Sequence, residues 1–172
     1  MNILKKYLFI TLLGFAAKTY SQNPDTAFLK KVQKAAASLS VEKPQNSDPV
    51  SVNSQLIWNK DKSRLAVIIK ANILSGWHIY AYVPADQPYI KTDIVLELPE
   101  GITPLEEWTK PSAYPYEDNI FIYEGEIVFT RIFTVNNPEK DAVITVGLFY
   151  QTCDLRQCLP PRNKTKELKL KS

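Results

Sequence analysis

Leu65, Val67, Ile69, Ala71 and Ile73 occupy every second position of one run, with Ala66, Ile68, Lys70 and Asn72 between them. The same period returns at Ile94, Leu96 and Leu98, and again at Ile144, Val146, Leu148 and Tyr150. Successive side chains of a strand point to opposite faces, so a two-residue period predicts half-buried strands. Further strands are expected near 52–58, 77–83, 120–123, 127–135 and 164–170. Turn chemistry separates the runs at Asn59-Lys60-Asp61, Ser75-Gly76, Pro99-Glu100-Gly101, Glu124-Gly125 and Asn136-Asn137-Pro138. Many short strands without alternating helices predict an all-β fold, an immunoglobulin-like antiparallel sandwich of two sheets. Residues 24–40 are the exception: their Ala-, Lys- and Leu-rich pattern predicts a short helix with Phe28, Val32 and Ala35-Ala36 on one side. Val41 to Pro49, polar with two prolines, reads as a linker or a loose lead-in.

The N-terminus bears on the compartment. Lys5 and Lys6 precede an almost unbroken apolar run from Tyr7 to Ala17, and Lys18 to Ser21 form a short polar tail. That is the pattern of a secretory signal peptide over residues 1–21. The alternative is an uncleaved anchor, but the run is short for an ordinary membrane span. The expected division is a signal peptide over 1–21, a helix and lead-in over 22–48, and the sandwich over 49–172.

The leader also distorts the charge. Three of the 21 basic side chains, Lys5, Lys6 and Lys18, fall within it, leaving 18 basic against the chain's 18 acidic groups. A neutral domain without a long basic cluster has little long-range pull toward nucleic acid or anionic lipid. The local basicity of Arg162 to Lys171 reads as an edge strand, where lysines discourage strand-to-strand aggregation.

Most catalytic constellations are missing. With five glycines there is no glycine-rich phosphate loop, and one histidine excludes multi-histidine metal sites. His78, in Gly76-Trp77-His78-Ile79-Tyr80, reads first as a structural strand residue. With Cys153 and Cys158 it would offer a soft ligand set for copper(I) or zinc if the fold brought the three together. Neither a metal nor any other cofactor is expected. Two acidic pairs, Glu106-Glu107 and Glu117-Asp118, read as solvated loops. Placed near a thiol, such a pair can carry a proton or raise the thiol's pKa.

The two cysteines, Cys153 and Cys158, lie between a strand-like run and Pro160-Pro161. In an oxidising compartment they are expected to form a disulfide. Closing so short a loop stabilises by only about 2 kcal/mol in the chain-entropy picture. The spacing is also not the Cys-x-x-Cys of thioredoxin folds. Spacing alone leaves both a structural clip and a reactive pair open.

Three blocks follow one another in order over residues 50–171: Gly76-Trp77-His78-Ile79-Tyr80-Ala81, then Tyr123-Glu124-Gly125-Glu126-Ile127-Val128-Phe129, then Tyr150-Gln151-Thr152-Cys153 and Cys158-Leu159-Pro160-Pro161. Together they resemble the N-terminal periplasmic domain of the thiol:disulfide interchange protein DsbD, the last block being the most specific. The resemblance implies an immunoglobulin-like sandwich in the periplasm. It implies that the domain accepts electrons from a thioredoxin-like domain and reduces thioredoxin-fold proteins, such as disulfide isomerases and cytochrome c maturation factors. Cys158 would then form the mixed disulfide with a partner and Cys153 would resolve it. Tyr116, in Tyr114-Pro115-Tyr116-Glu117-Asp118, falls where the family places an aromatic cap over the disulfide. The family's acids precede the cap, whereas Glu117 and Asp118 follow it, and the cysteine spacing is one residue shorter. The chain shows no membrane helices after the leader and no thioredoxin-like domain. A thioredoxin-like donor and a thioredoxin-fold acceptor are therefore expected as separate proteins. The alternative is a non-catalytic interaction domain with a structural disulfide.

Overall fold

The computed structural model describes residues 24–170, so the expected leader lies outside the described residues. One helix, α1 (Pro24–Ser38), precedes eleven strands. These are β1 (Val50–Trp58), β2 (Arg64–Ile73), β3 (His78–Tyr82), β4 (Asp93–Glu97), β5 (Ile102–Pro104), β6 (Tyr114–Pro115), β7 (Phe121–Tyr123), β8 (Glu126–Val135), β9 (Val143–Tyr150), β10 (Thr152–Cys153) and β11 (Arg162–Lys169). They form three antiparallel sheets, ordered β1-β2-β8-β5, β11-β9-β4 and β10-β3-β7-β6. The architecture is the expected all-β, immunoglobulin-like sandwich.

The two-residue period builds its centre. Leu65, Val67 and Ile69 of β2 and Phe129 and Phe133 of β8 share one buried cluster with Ile144, Val146, Leu148 and Tyr150 of β9. Each buried side chain of this size stabilises by roughly 1.5–3 kcal/mol relative to leaving it in water. Leu96 of β4 packs on the same cluster while remaining partly buried. Gly147 of β9 faces Thr165 of β11, and a Cβ there would overlap the Lys164 carbonyl. The strands meet closely at that point because the residue has no side chain.

β2 departs from the half-buried expectation. Its intervening residues Ala66 and Ile68 are buried too, against Phe28, Val32 and Ala36 of α1, with Ile57 and Ile132 beside them. The helix forms because its apolar residues recur at three- and four-residue steps among good helix formers. It lies along β2 in the strand's own direction. At its middle Lys31 Nζ donates to the Trp58 carbonyl, beside the start of β2, at 2.8 Å, and near its end the Ala37 carbonyl accepts from Lys70 Nζ at 3.3 Å. Lys70 is buried on this outer face and pairs with Glu126 at 3.0 Å. Its charge sits where the last helical carbonyls favour a cation.

The segment after the helix is tied down. Gln45 and Asp48 exchange backbone hydrogen bonds of 3.1 and 2.9 Å, and Asp48 pairs with Arg162 and Lys164. Among the described residues β11 is an edge strand whose backbone ladder runs to β9, and it carries the basic residues predicted for it. Among the described residues no helix is long and apolar enough to cross a membrane.

Candidate redox site

The site is built by the smallest sheet. Thr152 pairs with Ile79 and Cys153 with His78, and Thr152 Oγ1 donates to the His78 carbonyl at 2.9 Å. Beyond Cys153 the chain reverses. Asp154 N donates to the Gln157 carbonyl at 2.9 Å, and Asp154 Oδ1 accepts from the amides of Arg156 and Gln157, both at 2.7 Å. Those two amides hold the Asp154 carboxyl below its ordinary 3.8. Leu159 N then donates to the Thr152 carbonyl at 2.9 Å, closing a small hairpin. Pro160 and Pro161 follow without amide donors, and regular pairing resumes only at β11.

Cys153 and Cys158 are joined by a disulfide at the base of this hairpin. Their surroundings differ sharply. Cys153 is 2% exposed, whereas Cys158 is exposed and Leu155 at the tip is 91% exposed. A depression of about 470 Å³ lies beside the hairpin. His78, Tyr80, Tyr89, Tyr116 and Glu117 border it opposite Cys153 and Cys158.

Each bordering group has an identifiable support. Tyr80, two residues after His78 on the same strand face, donates its hydroxyl to Cys153 Sγ at 3.1 Å. Its ring stacks on Tyr89 at 4.8 Å, and burial pushes its hydroxyl pKa up, with Tyr89, Tyr116 and Glu117 adding to the rise. Tyr89 is held in place because Ile90 N donates to Gln151 Oε1 at 3.0 Å and Thr92 N to the Tyr80 carbonyl at 2.7 Å. Tyr116 sits half-buried with its ring 5.0 Å from that of His78. Burial, then Glu117, pushes its hydroxyl pKa up.

The β6–β7 turn explains where the second acidic pair goes. Asp118 and Asn119 both have positive φ, 52° and 60°, and Ile120 N donates to the Glu117 carbonyl at 3.0 Å. Asp-Asn thus supplies the left-handed pair that a tight hairpin turn requires. Glu117 borders the depression; Asp118 occupies the turn and does not line it. The other pair lies elsewhere: Arg131 Nε donates to the Glu106 carbonyl at 2.6 Å, and its guanidinium lies 3.8 Å from Glu107.

His78 is buried, and its Nε2 meets no hydrogen-bond partner among the described residues. Burial holds its pKa below 6.5, against the raising fields of Glu124 and Asp154. The structure brings His78 beside Cys153, yet both sulfurs are committed to each other. Among the described residues there is no cluster of three or more His, Cys, Asp or Glu side chains that could hold a metal ion.

Sequence reasoning missed Tyr80 and Tyr89 as members of the site. Tyr80 carried a signal, since it lies two residues from His78 and so on the same face of β3. Tyr89 lies in an irregular loop, where no periodicity exists to read.

No curated protein matches the chain. Among solved structures, the N-terminal periplasmic domain of ScsB from Proteus mirabilis aligns at 16% identity with a TM-score of 0.48, over 76% of this chain and 49% of that one. The chain thus spans about half the length of that structure. The reduced DsbD N-terminal domain of Neisseria meningitidis aligns at 14% identity with a TM-score of 0.40, over 62% of this chain and 77% of that one. Residues 46–170, from the lead-in through β11, match the family described as thiol:disulfide interchange protein DsbD, N-terminal. That segment holds the hairpin, both cysteines and every residue around the depression, and the chain belongs to this DsbD N-terminal domain family.

Proposed function

We infer that this domain is an exported electron carrier, passing reducing equivalents between thioredoxin-like proteins through a reversible Cys153–Cys158 dithiol/disulfide. The observation that carries the reading is the unequal exposure of the two cysteines. Disulfide exchange needs a thiolate to reach one sulfur while the other leaves. Here the donor's thiolate attacks Sγ of the exposed residue Cys158. The S–S bond breaks, and its electron pair departs on Cys153 Sγ, which the Tyr80 hydroxyl is placed to stabilise. The donor's second thiolate then attacks its own sulfur in the mixed disulfide. The donor leaves oxidised, and this domain is left as a dithiol. Delivery to an acceptor runs the same steps in reverse, with Cys153 resolving the mixed disulfide that Cys158 has formed.

Family membership supports thioredoxin-like donor and acceptor proteins, and the signal-like residues 1–21 support a periplasmic location. Tyr116 and Glu117, at the β6–β7 turn bordering the depression, are the candidate cap and acid. The alternative, an interaction domain with a purely structural disulfide, is less well supported. The hairpin is already closed by the Leu159–Thr152 and Asp154–Gln157 hydrogen bonds, so the covalent clip adds little to the fold.

The test is trapping. A thioredoxin-fold protein lacking its resolving cysteine, its remaining cysteine carried as a mixed disulfide with thionitrobenzoate, is expected to be captured by Cys158 of the Cys153→Ser variant with release of thionitrobenzoate, and not to be captured by Cys158→Ser. Absence of any adduct, with a reduction potential below about −300 mV, would establish the structural reading instead.

A further inference from the structure

His78 is the chain's single histidine, and the exchange steps above make no use of it. Its backbone pairs directly with Cys153 in the β3–β10 register. Directly paired residues of antiparallel strands project their side chains from one face. Tyr80 lies on that face as well, and its hydroxyl reaches Cys153 Sγ at 3.1 Å. The imidazole is 5% exposed, borders the same depression as both cysteines, and leaves Nε2 buried without a partner among the described residues. A buried polar atom without a partner calls for an explanation, and a redox role is one of the recognised ones.

The geometry points to His78 as the proton-holding partner of Cys153: when the disulfide opens, the Cys153 thiolate and a His78 imidazolium form an ion pair that does not exist in the oxidised protein. The inference rests on the exchange reading and deepens it. The donor dithiol brings two electrons and two protons. The electrons reduce the S–S bond. One proton ends on Cys158 Sγ and the other on His78, while Cys153 keeps its negative charge and remains a nucleophile for the return step. Nothing beyond the donor dithiol is consumed. A cysteine beside a cationic histidine has its thiol pKa lowered, which favours the thiolate that attacks disulfides.

The other groups facing His78 do not produce this change. Tyr80 of the same strand and Tyr116 of the β6–β7 turn contact the ring, at centroid distances of 5.1 and 5.0 Å, and burial keeps both protonated. Glu117 borders the same depression. Glu124 and Asp154 favour the cation, but neither is part of the bond that reduction breaks. Only Cys153 gains a charge on reduction.

A single histidine makes the test direct. The ring resonances of His78 are titrated by NMR in the disulfide form and again after reduction by a phosphine. The midpoint is expected to rise by at least about one pH unit on reduction, the effect of an opposite charge at close range. Cys158→Ala, which keeps the Cys153 thiol, should show the raised midpoint; Cys153→Ala should not. Equal midpoints in the two redox states of the unmodified protein overturn the inference, as does a raised midpoint that persists in Cys153→Ala. The outcomes stay separable. If no mixed disulfide forms with a thioredoxin-fold protein, the exchange reading fails, and the chemically reduced sample still reports on His78. If exchange proceeds with the midpoint unchanged, only the role of His78 fails.

Discussion

The hydroxyl of Tyr80 donates to Sγ of Cys153 at 3.1 Å, across 73 positions of sequence. This bond ties the centre of β3 to the buried half of the disulfide. Hydrogen bonds to ions contribute about 1.5–3 kcal/mol, more than those to neutral acceptors. Tyr80→Phe keeps the stack on Tyr89 and removes only the donor. The reduced state, with its thiolate, should lose more than the oxidised state. The difference from a neutral hydrogen bond is about 1–1.5 kcal/mol, so at about 30 mV per 1.4 kcal/mol for a two-electron couple the reduction potential should fall by about 20–30 mV. Equilibration against glutathione buffers measures it, and an unchanged potential would mean that the bond is no stronger in the reduced state.

The exposure difference between the two cysteines predicts unequal reactivity. In Cys153→Ser, the remaining Cys158 should be alkylated by iodoacetamide at least about ten-fold faster than Cys153 is in Cys158→Ser, at one pH. Cys153, at 2% exposure, should react readily only once the protein is unfolded. Equal rates in the folded variants would contradict the burial described for Cys153.

The hairpin tip should be sensitive to acid. The amides of Arg156 and Gln157 stabilise the ionised Asp154 and so lower its folded pKa. A depressed carboxyl contributes stability that is complete above its ordinary 3.8 and lost as pH falls through the depressed value. The amide shifts of Arg156 and Gln157 should therefore titrate together, with a midpoint below 3.8. Asp154→Asn retains an acceptor oxygen for the turn and should abolish that titration. A midpoint above the ordinary value would show that the amides do not hold the carboxylate.

Stability and redox chemistry should separate at the helix. Phe28 is buried against Ala66 and Ile68 on the outer face of β2, far from the disulfide in the fold. Phe28→Ala should cost about 3 kcal/mol in urea unfolding, the lower end for a buried phenylalanine. The reduction potential of the folded variant should not change. A loss of stability well under 1 kcal/mol would mean that the helix is only loosely docked.

The sandwich was legible because alternation reports a buried face directly. Ile144, Val146, Leu148 and Tyr150 fill the core just as their spacing requires. β2 was less legible. Alternation reports one buried face, and the second depends on whether α1 docks there. Ala66 and Ile68, apolar on the supposed solvent face, were the available hint. The short strands β5, β6 and β10 hold two or three residues each, too few to show a period. At the site, the cysteines stood out as the chain's two thiols, and Tyr116 was proposed from where the family carries its cap. The pairing of His78 with Cys153 was not legible, since it joins positions 78 and 153 through a two-residue strand. Asp118 shows the opposite case, in which a local rule held the answer. An Asp-Asn step between strands signals a tight turn, and Asp118 occupies that turn without lining the depression.

The direction in which α1 lies along β2 has a mechanical consequence. Ala27 and Phe28 sit against Asn59–Arg64, at the end of β2 remote from β3, while the disulfide hairpin is attached through β3 itself. Whatever precedes residue 24 therefore joins the molecule at the end of β2 remote from the disulfide hairpin. A tether there would hold the domain by its tail and leave the working end free to swing outward toward a visiting protein.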